Sequence, residues 1–161
     1  MARSTVYDTF GSRSAFLDAI AEDIFATAGM DDIGQALTAA DPIQAIEKVL
    51  PIGNRMYSSQ REIWRALESM AAIDTSVTSA IVRSETRRAA GMRDLAERLE
   101  AHRYLGTGVT TAFAEAHLMV MTSFATFDML AEHGLSLEAI TEWMFIATRR
   151  TLGLPQLGGE R

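Results

Sequence analysis

Apolar residues recur at intervals of three and four positions along almost the entire chain, and this period restricts the fold more than any other feature. The chain has three prolines, Pro42, Pro51 and Pro155, and each falls near a plausible helix boundary. No run of Val, Ile and Thr bounded by turn residues indicates a strand. The sequence therefore predicts an all-α protein.

Local signals predict where several helices begin and end. Residues 30–40 are expected to form a connector with at most one or two helical turns. The Asp-Pro pair at 41–42 predicts a helix start, because proline is favoured at the first helical position. Pro51 is expected to kink that helix or to end it early. Asp74 and Ser136 are predicted to cap two later helices, the first of them long and polar.

The composition indicates a folded domain and excludes several kinds of chemistry. With 161 residues, 48% of them apolar, the chain suffices for one domain, or for one domain and part of another. The absence of cysteine excludes disulfides, cysteine-bound zinc and thiol nucleophiles, and the three histidines are far apart in sequence. We therefore expect no metal and no other cofactor. The net charge of −6 argues against a surface that is basic overall, but not against a small local contact with nucleic acid.

Nothing in the sequence indicates a targeting or membrane segment. The N-terminus lacks the apolar core of a signal peptide. The longest uncharged, apolar-rich run covers residues 118–127, and it is shorter than the ~20 residues that a membrane-spanning helix needs. We therefore expect a cytoplasmic protein that does not contact the membrane.

The last two helical segments carry apolar residues on nearly every side, so neither has an obvious face for water. In a chain of this size, such helices are covered either by the rest of the chain or by a second copy of it. We expect a homodimer, and the candidates for its interface are Phe124, Phe127, Ile140, Trp143, Met144, Ala147 and Thr151. The alternative is that both helices lie at the centre of the monomer.

The N-terminal residues predict a short helix, then a glycine-containing turn and an amphipathic helix. Several side chains in this stretch have the chemistry to contact DNA phosphates or base edges, namely Arg3, Ser4, Thr5, Tyr7, Ser12 and Arg13. Acidic residues are interspersed among them. By themselves these side chains therefore fit an ordinary N-terminal helix better than a DNA-binding one.

Residues 5–10, Thr-Val-Tyr-Asp-Thr-Phe, resemble the recognition-helix pattern Thr-x-Tyr-x-x-Phe of the TetR family of transcriptional regulators. A glycine–serine turn follows, and Arg13 stands where that family usually has lysine. In the C-terminal part, residues 121–124, the Gly-Leu-Ser turn at 134–136 and Trp143 resemble the closing pair of helices of the family's ligand-binding and dimerising domain. The resemblance spans almost the whole chain.

The resemblance implies a domain organisation. Residues 1–29 would be the end of a helix-turn-helix DNA-binding domain, and residues 41–153 a ligand-binding and dimerisation domain. Residues 154–161 would be a frayed tail. The helices that precede the recognition helix in the family have no counterpart here. We therefore expect an N-terminally truncated gene product whose recognition helix lacks part of its support, so that the chain binds operator DNA poorly.

By the same resemblance, a ligand pocket lies among the middle helices. Its candidate lining is mostly apolar, which suits a small hydrophobic or aromatic effector, and it comprises Met56, Tyr57, Ile63, Trp64, Leu67, Met70, Phe113, His117 and Met121. Each of these residues also fits plain core packing, and for most of them core packing is the simpler interpretation. His117 either bonds the effector, lies at the dimer interface, or is a core histidine whose hydrogen bonds are satisfied.

The sequence contains no glycine-rich phosphate loop, no nucleophile elbow and no convergent pair of carboxylates, so we expect no enzyme. The resemblance implies a homodimeric regulator, in the family's usual case a repressor, which a small apolar effector releases from operator DNA. The alternative is a stand-alone helical dimer that binds a ligand or a partner but does not bind DNA.

Overall fold

The structure is a computed structural model, and it describes residues 30–155. Within this range the chain is all-helical and contains no strand. Its helices are α1 (Met30–Leu37), α2 (Pro42–Ser59), α3 (Arg61–Ala71), α4 (Thr75–Ala101), α5 (Thr111–Met121), α6 (Phe124–Glu132) and α7 (Leu137–Leu152). The six residues predicted to contact DNA lie outside the described range, namely Arg3, Ser4, Thr5, Tyr7, Ser12 and Arg13.

The helix start predicted at Asp41 and Pro42 and the caps predicted at Asp74 and Ser136 are confirmed. The Asp41 carboxylate accepts a hydrogen bond from the backbone N–H of Ile43 at 2.8 Å, and Pro42 occupies the first turn of α2. Asp74 caps the 27-residue α4 in the same way, and the Ser136 hydroxyl caps α7. In each case the side chain satisfies a backbone N–H that has no partner within the helix.

The structure refines three expectations about the course of the chain. Residues 30–37, expected to be a connector with one or two helical turns, form the eight-residue helix α1, and α2 does not end at Pro51 but continues to Ser59. The segment from 110 to 132 is two helices, because the chain turns at Thr122 and the Ser123 hydroxyl caps a new helix, accepting from Thr126 N at 3.2 Å. Proline is tolerated in α2 because buried residues before and after it anchor the helix to the core.

The core is built around α2, α4 and α7, onto which the shorter helices pack. Its fully buried side chains include Ile46, Leu95, Leu118, Ile140 and Met144. The core extends beyond the predicted domain boundaries in both directions, because α1 packs on α2 and Leu154 is buried after the end of α7.

Leu154 corrects the expectation of a frayed tail from residue 153 onward. Its backbone N–H donates to the carbonyl of Arg149 at 2.9 Å, and Gly153 turns the chain in the left-handed conformation at the end of α7.

Among residues 30–155, no helix has the length and apolar character that crossing a bilayer requires.

Candidate ligand-binding cavity

A cavity of about 180 Å³ lies among α1, α2, α3 and α4, and Thr122 from the α5–α6 turn reaches its wall. We call it the central cavity. Three glycines, one each on α1, α2 and α4, contribute to its wall, and glycine leaves room where a side chain would otherwise stand. The lining consists of Ile33, Gly34, Leu37, Val49, Leu50, Gly53, Asn54, Met56, Tyr57, Trp64, Ser84, Glu85, Arg87, Arg88, Gly91, Met92 and Thr122.

Aromatic side chains form one wall of the central cavity and continue into the core. The rings of Tyr57 and Trp64 meet edge to face at 5.4 Å between centroids, and Trp64 stacks on Phe124 at 5.8 Å. The Tyr57 hydroxyl donates a hydrogen bond to the carbonyl oxygen of Thr122 at 3.0 Å. Burial raises the pKa of Tyr57 to about 12, so the phenol is neutral at physiological pH. Burial at this position therefore disfavours a negative charge on Tyr57 itself.

Asn54 is the most deeply buried polar residue in the lining, with 2% of its surface exposed. Its amide nitrogen donates to the Thr141 hydroxyl oxygen at 3.0 Å and approaches the Met144 sulfur at 3.4 Å, both on α7. The Thr141 hydroxyl itself donates to the carbonyl of Leu137 at 2.9 Å, so its oxygen is available as an acceptor. This network assigns the nitrogen of the Asn54 amide to the α7 side.

Arg88 links α4 to the turn between α5 and α6. Its guanidinium donates to the Met119 carbonyl at 2.6 Å and to the Thr122 hydroxyl at 2.9 Å, and it pairs with the Glu85 carboxylate on the same helix. Its charge is thus compensated at the cavity wall, and its donors hold the end of α5 in place.

The structure brings three of the nine predicted ligand-binding residues, Met56, Tyr57 and Trp64, to the central cavity. The other six lie outside its lining. Ile63, Leu67 and Met70 are on α3, of which only Trp64 lines the cavity. Phe113, His117 and Met121 are on α5, which contributes no lining residue. Met121 lines a separate void of about 10 Å³, which holds at most one water.

His117 lies between α5 and α7, outside the cavity. Its Nε2 is 3.2 Å from the Thr148 hydroxyl oxygen, and its ring stacks loosely on Phe113 at 6.5 Å. Partial burial lowers the pKa of His117, which favours the neutral ring. This arrangement corresponds to the packed histidine that the sequence also allowed.

Several lining residues were not among the sequence candidates. Ile33 and Leu37 belong to a segment expected to be a connector, and Arg88 lies on the helix predicted to be long and polar. Asn54 carried a usable signal, because it falls four residues after Leu50 within an apolar stripe. A lone polar residue on a buried helical face indicates either a specific hydrogen-bond network or a binding site.

The predicted dimer interface divides into two groups. Phe124, Phe127, Ile140 and Met144 are buried within this chain, so they pack in its own core and cannot form a surface for a partner. Trp143, by contrast, is 45% exposed. Thr151 is exposed and Ala147 is half-buried. Further exposed apolar side chains are Phe113 and Val120 on α5 and Ile146 on α7.

No family model, curated protein or solved structure matches this chain. Among residues 30–155, no group of three or more His, Asp or Glu side chains is arranged to hold a metal ion.

Proposed function

We propose that this chain is the sensory part of a transcriptional regulator similar to the TetR family, and that a small, largely apolar molecule binds in its central cavity. One observation carries the proposal: an all-helical domain holds a cavity of about 180 Å³ with an apolar and aromatic wall and a few buried polar groups. That combination of walls and sparse polar groups is typical of small-molecule sites.

The position of α1 supports a route from ligand to DNA. Ile33 and Leu37 of α1 contribute to the cavity wall, and residues 11–29 connect α1 to the residues whose pattern resembles a recognition helix. Arg98 of α4 holds the far end of α1, donating to the Leu37 carbonyl at 2.5 Å and to the Ala39 carbonyl. A ligand that contacts α1 differently in two positions of this helix would shift the balance between them. The segment before α1 would then move, which changes operator affinity.

The proposal includes a homodimer. Phe113, Val120, Trp143 and Ile146 leave apolar surface exposed on α5 and α7, and a second copy of the chain would bury it. Two copies related by a two-fold axis would place two DNA-reading segments at a spacing set by the sensory domains.

Ligand sensing is tested by screening a library of small aromatic and aliphatic compounds against the purified chain with ligand-observed NMR. Trp64 reports on the site because it lines the cavity, and in the Trp143→Phe variant it is the only tryptophan left. We expect compounds that bind to change Trp64 emission and to raise the melting temperature. If no compound binds, the proposed function fails.

DNA binding is tested separately, by selecting genomic fragments on the chain with and without a bound compound. A fragment that the chain enriches and then releases when the compound is added supports the proposal of a DNA-binding regulator. Ligand binding without enrichment of any fragment favours the stand-alone ligand-binding dimer instead.

A further inference from the structure

The amide of Asn54 presents one unused hydrogen-bonding atom to the central cavity. Its nitrogen is engaged by Thr141 and Met144, neither of which lines the cavity. Its oxygen, Oδ1, accepts no hydrogen bond from residues 30–155, and only 2% of the surface of Asn54 is exposed. A planar amide whose nitrogen points to α7 directs its oxygen the other way, towards the cavity that Asn54 lines. Within residues 30–155, Oδ1 is not one of the fully enclosed side-chain atoms without a partner, so a donor that enters the cavity can reach it, and an acceptor in such a confined place gains from that donor.

The volume of the central cavity limits the ligand to about one ring. An apolar cavity of ~150 Å³ is known to take up benzene, so about 180 Å³ holds a benzene ring with one small substituent. Tyr57 and Trp64 supply aromatic contacts on one side, and Met56 and Met92 supply adaptable apolar contacts.

The polar groups of the wall favour a neutral ligand. The Arg88 guanidinium is engaged by Glu85, Thr122 and a backbone carbonyl, so it is not a free anion site. An acceptor oxygen on Asn54 repels a carboxylate. The burial that raises the pKa of Tyr57 would likewise penalise an anion placed beside it.

Building on the proposed ligand-sensing function, we infer that the ligand class is neutral single-ring aromatic compounds that carry one O–H or N–H donor, such as phenols and anilines. The donor bonds Oδ1 of Asn54, and the ring lies against Tyr57 and Trp64. Thr141 is a positioning residue, because it holds the amide with its oxygen towards the ring.

The inference is tested with phenol, toluene and benzoate by isothermal titration calorimetry near neutral pH, on the whole chain. Phenol and toluene have nearly the same shape, but only phenol has a donor. We expect phenol to bind ~10-fold more tightly than toluene, the effect of one hydrogen bond to a buried acceptor. Benzoate is expected not to bind at concentrations at which phenol saturates.

Variants of Asn54 and Thr141 then show whether these residues cause the preference for phenol over toluene. Asn54→Leu should reduce the phenol-to-toluene ratio to about one while keeping toluene binding, which also shows that the variant is folded. Thr141→Val removes the partner of the amide nitrogen and should lower the ratio. Thr141→Ser keeps the hydroxyl and should preserve it. If Asn54→Leu does not fold, the ratio in the unmodified chain and in the two Thr141 variants decides.

The outcomes separate this inference from the function on which it rests. Equal binding of phenol and toluene, or tighter binding of benzoate, overturns the inference but leaves ligand sensing in place if the compound library contains ligands. A phenol preference that survives in Asn54→Leu also overturns it. Failure of every compound to bind overturns the proposed function itself.

Discussion

Gly106, in the loop after α4, and Gly153, at the end of α7, pack backbone against backbone. The Gly106 N–H donates to the carbonyl of Leu152 at 2.8 Å, and a Cβ added to Gly153 would lie 2.8 Å from the Cα of Gly106. Gly153 also has a φ of 66°, in the left-handed region. This contact joins the loop after α4 to the end of α7, where a side chain on Gly153 would collide with backbone atoms.

Gly153→Ala is expected to destabilise the protein by at least about 2 kcal/mol, because it combines a left-handed backbone with a clash between backbone atoms. Gly134→Ala is the matched control, since Gly134 has a φ of 82° and open space around its Cα. It should cost only about 1 kcal/mol. Urea unfolding measures the free energy of unfolding of both variants. Equal losses of stability would show that the backbone at Gly106 moves aside at little cost.

Filling the central cavity should block the ligand without harming the fold. Gly53 lies within α2, lines the cavity and has no atom within 4 Å of an added Cβ. Gly53→Ala is expected to raise the free energy of unfolding by about 0.5–1 kcal/mol, the usual gain from replacing a helical glycine. Gly53→Leu should abolish binding of any compound found in the screen.

Ala139→Leu is the control for Gly53→Leu, because Ala139 is exposed on α7 and lies outside the cavity lining. It should bind the same compounds as the unmodified chain. If Gly53→Leu binds them equally well, the ligand does not occupy the central cavity.

Tyr57 should make the stability fall in alkaline solution. Burial raises its pKa to about 12, above the ordinary value of about 10, so the neutral phenol stabilises the folded state at every pH below 10. That contribution is lost as the pH rises from 10 to 12 and amounts to about 2–3 kcal/mol.

Tyr57→Phe isolates this effect, because it removes the titrating group and the hydrogen bond to the Thr122 carbonyl. The variant should be about 1 kcal/mol less stable near neutral pH. Its disadvantage should shrink and then reverse above pH 10, as followed by unfolding free energies at a series of pH values. A parallel pH dependence in both proteins would contradict the assignment.

Asp128 is expected to anchor α3 to α6. Its carboxylate accepts from Arg61 Nε at 2.5 Å and from Arg65 Nε at 3.0 Å. Burial pushes the pKa of Asp128 upward, but the hydrogen bonds and charges of the two arginines outweigh it and hold the pKa below its usual value. The stabilisation is therefore complete above the usual carboxylate pKa and is lost as the pH falls through the lower, folded-state value.

Asp128→Asn should lower the stability by about 1 kcal/mol at neutral pH, and the gap to the unmodified chain should close in acid. Glu132→Gln is the control, because Glu132 also pairs with Arg65 but is 58% exposed. It is expected to have little effect. If Glu132→Gln lowers the stability as much as Asp128→Asn does, the difference in exposure does not determine how much the two carboxylates contribute.

The proposed dimer makes a prediction about assembly. Replacing the exposed Trp143 and Phe113 together with glutamate should give a monomer in sedimentation velocity, because two charges would face apolar surface in the interface. Ile73→Glu is the control, since Ile73 is 88% exposed at the turn between α3 and α4. If the unmodified chain is already a monomer at micromolar concentration, the dimer is not formed.

Much of the fold could be predicted from local signals. The helical period predicted an all-α chain, and Asp41, Asp74 and Ser136 marked helix starts, because capping needs only residues two or three positions apart. The same locality explains the errors at Pro51 and at Thr122. At Pro51, long-range packing keeps the helix intact despite the proline. After Thr122, the Ser123 cap begins a new helix within an apolar run that appears continuous in the sequence.

The site was less predictable. Met56, Tyr57 and Trp64 were candidates that reached the central cavity, whereas Asn54 and Arg88 were not candidates and lie in its wall. Each helix has several apolar positions, and the period does not tell which of them face a void and which face a packed neighbour.

Capped helices with apolar faces follow from the amino-acid sequence alone, because those features depend on neighbours within one or two turns. What each face meets depends on tertiary packing. Packing places Phe127 and Met144 in the core, leaves Trp143 at the surface, and bonds the amide nitrogen of Asn54 to α7. These outcomes depend on contacts between residues as far apart as Asn54 and Thr141, which no local pattern records.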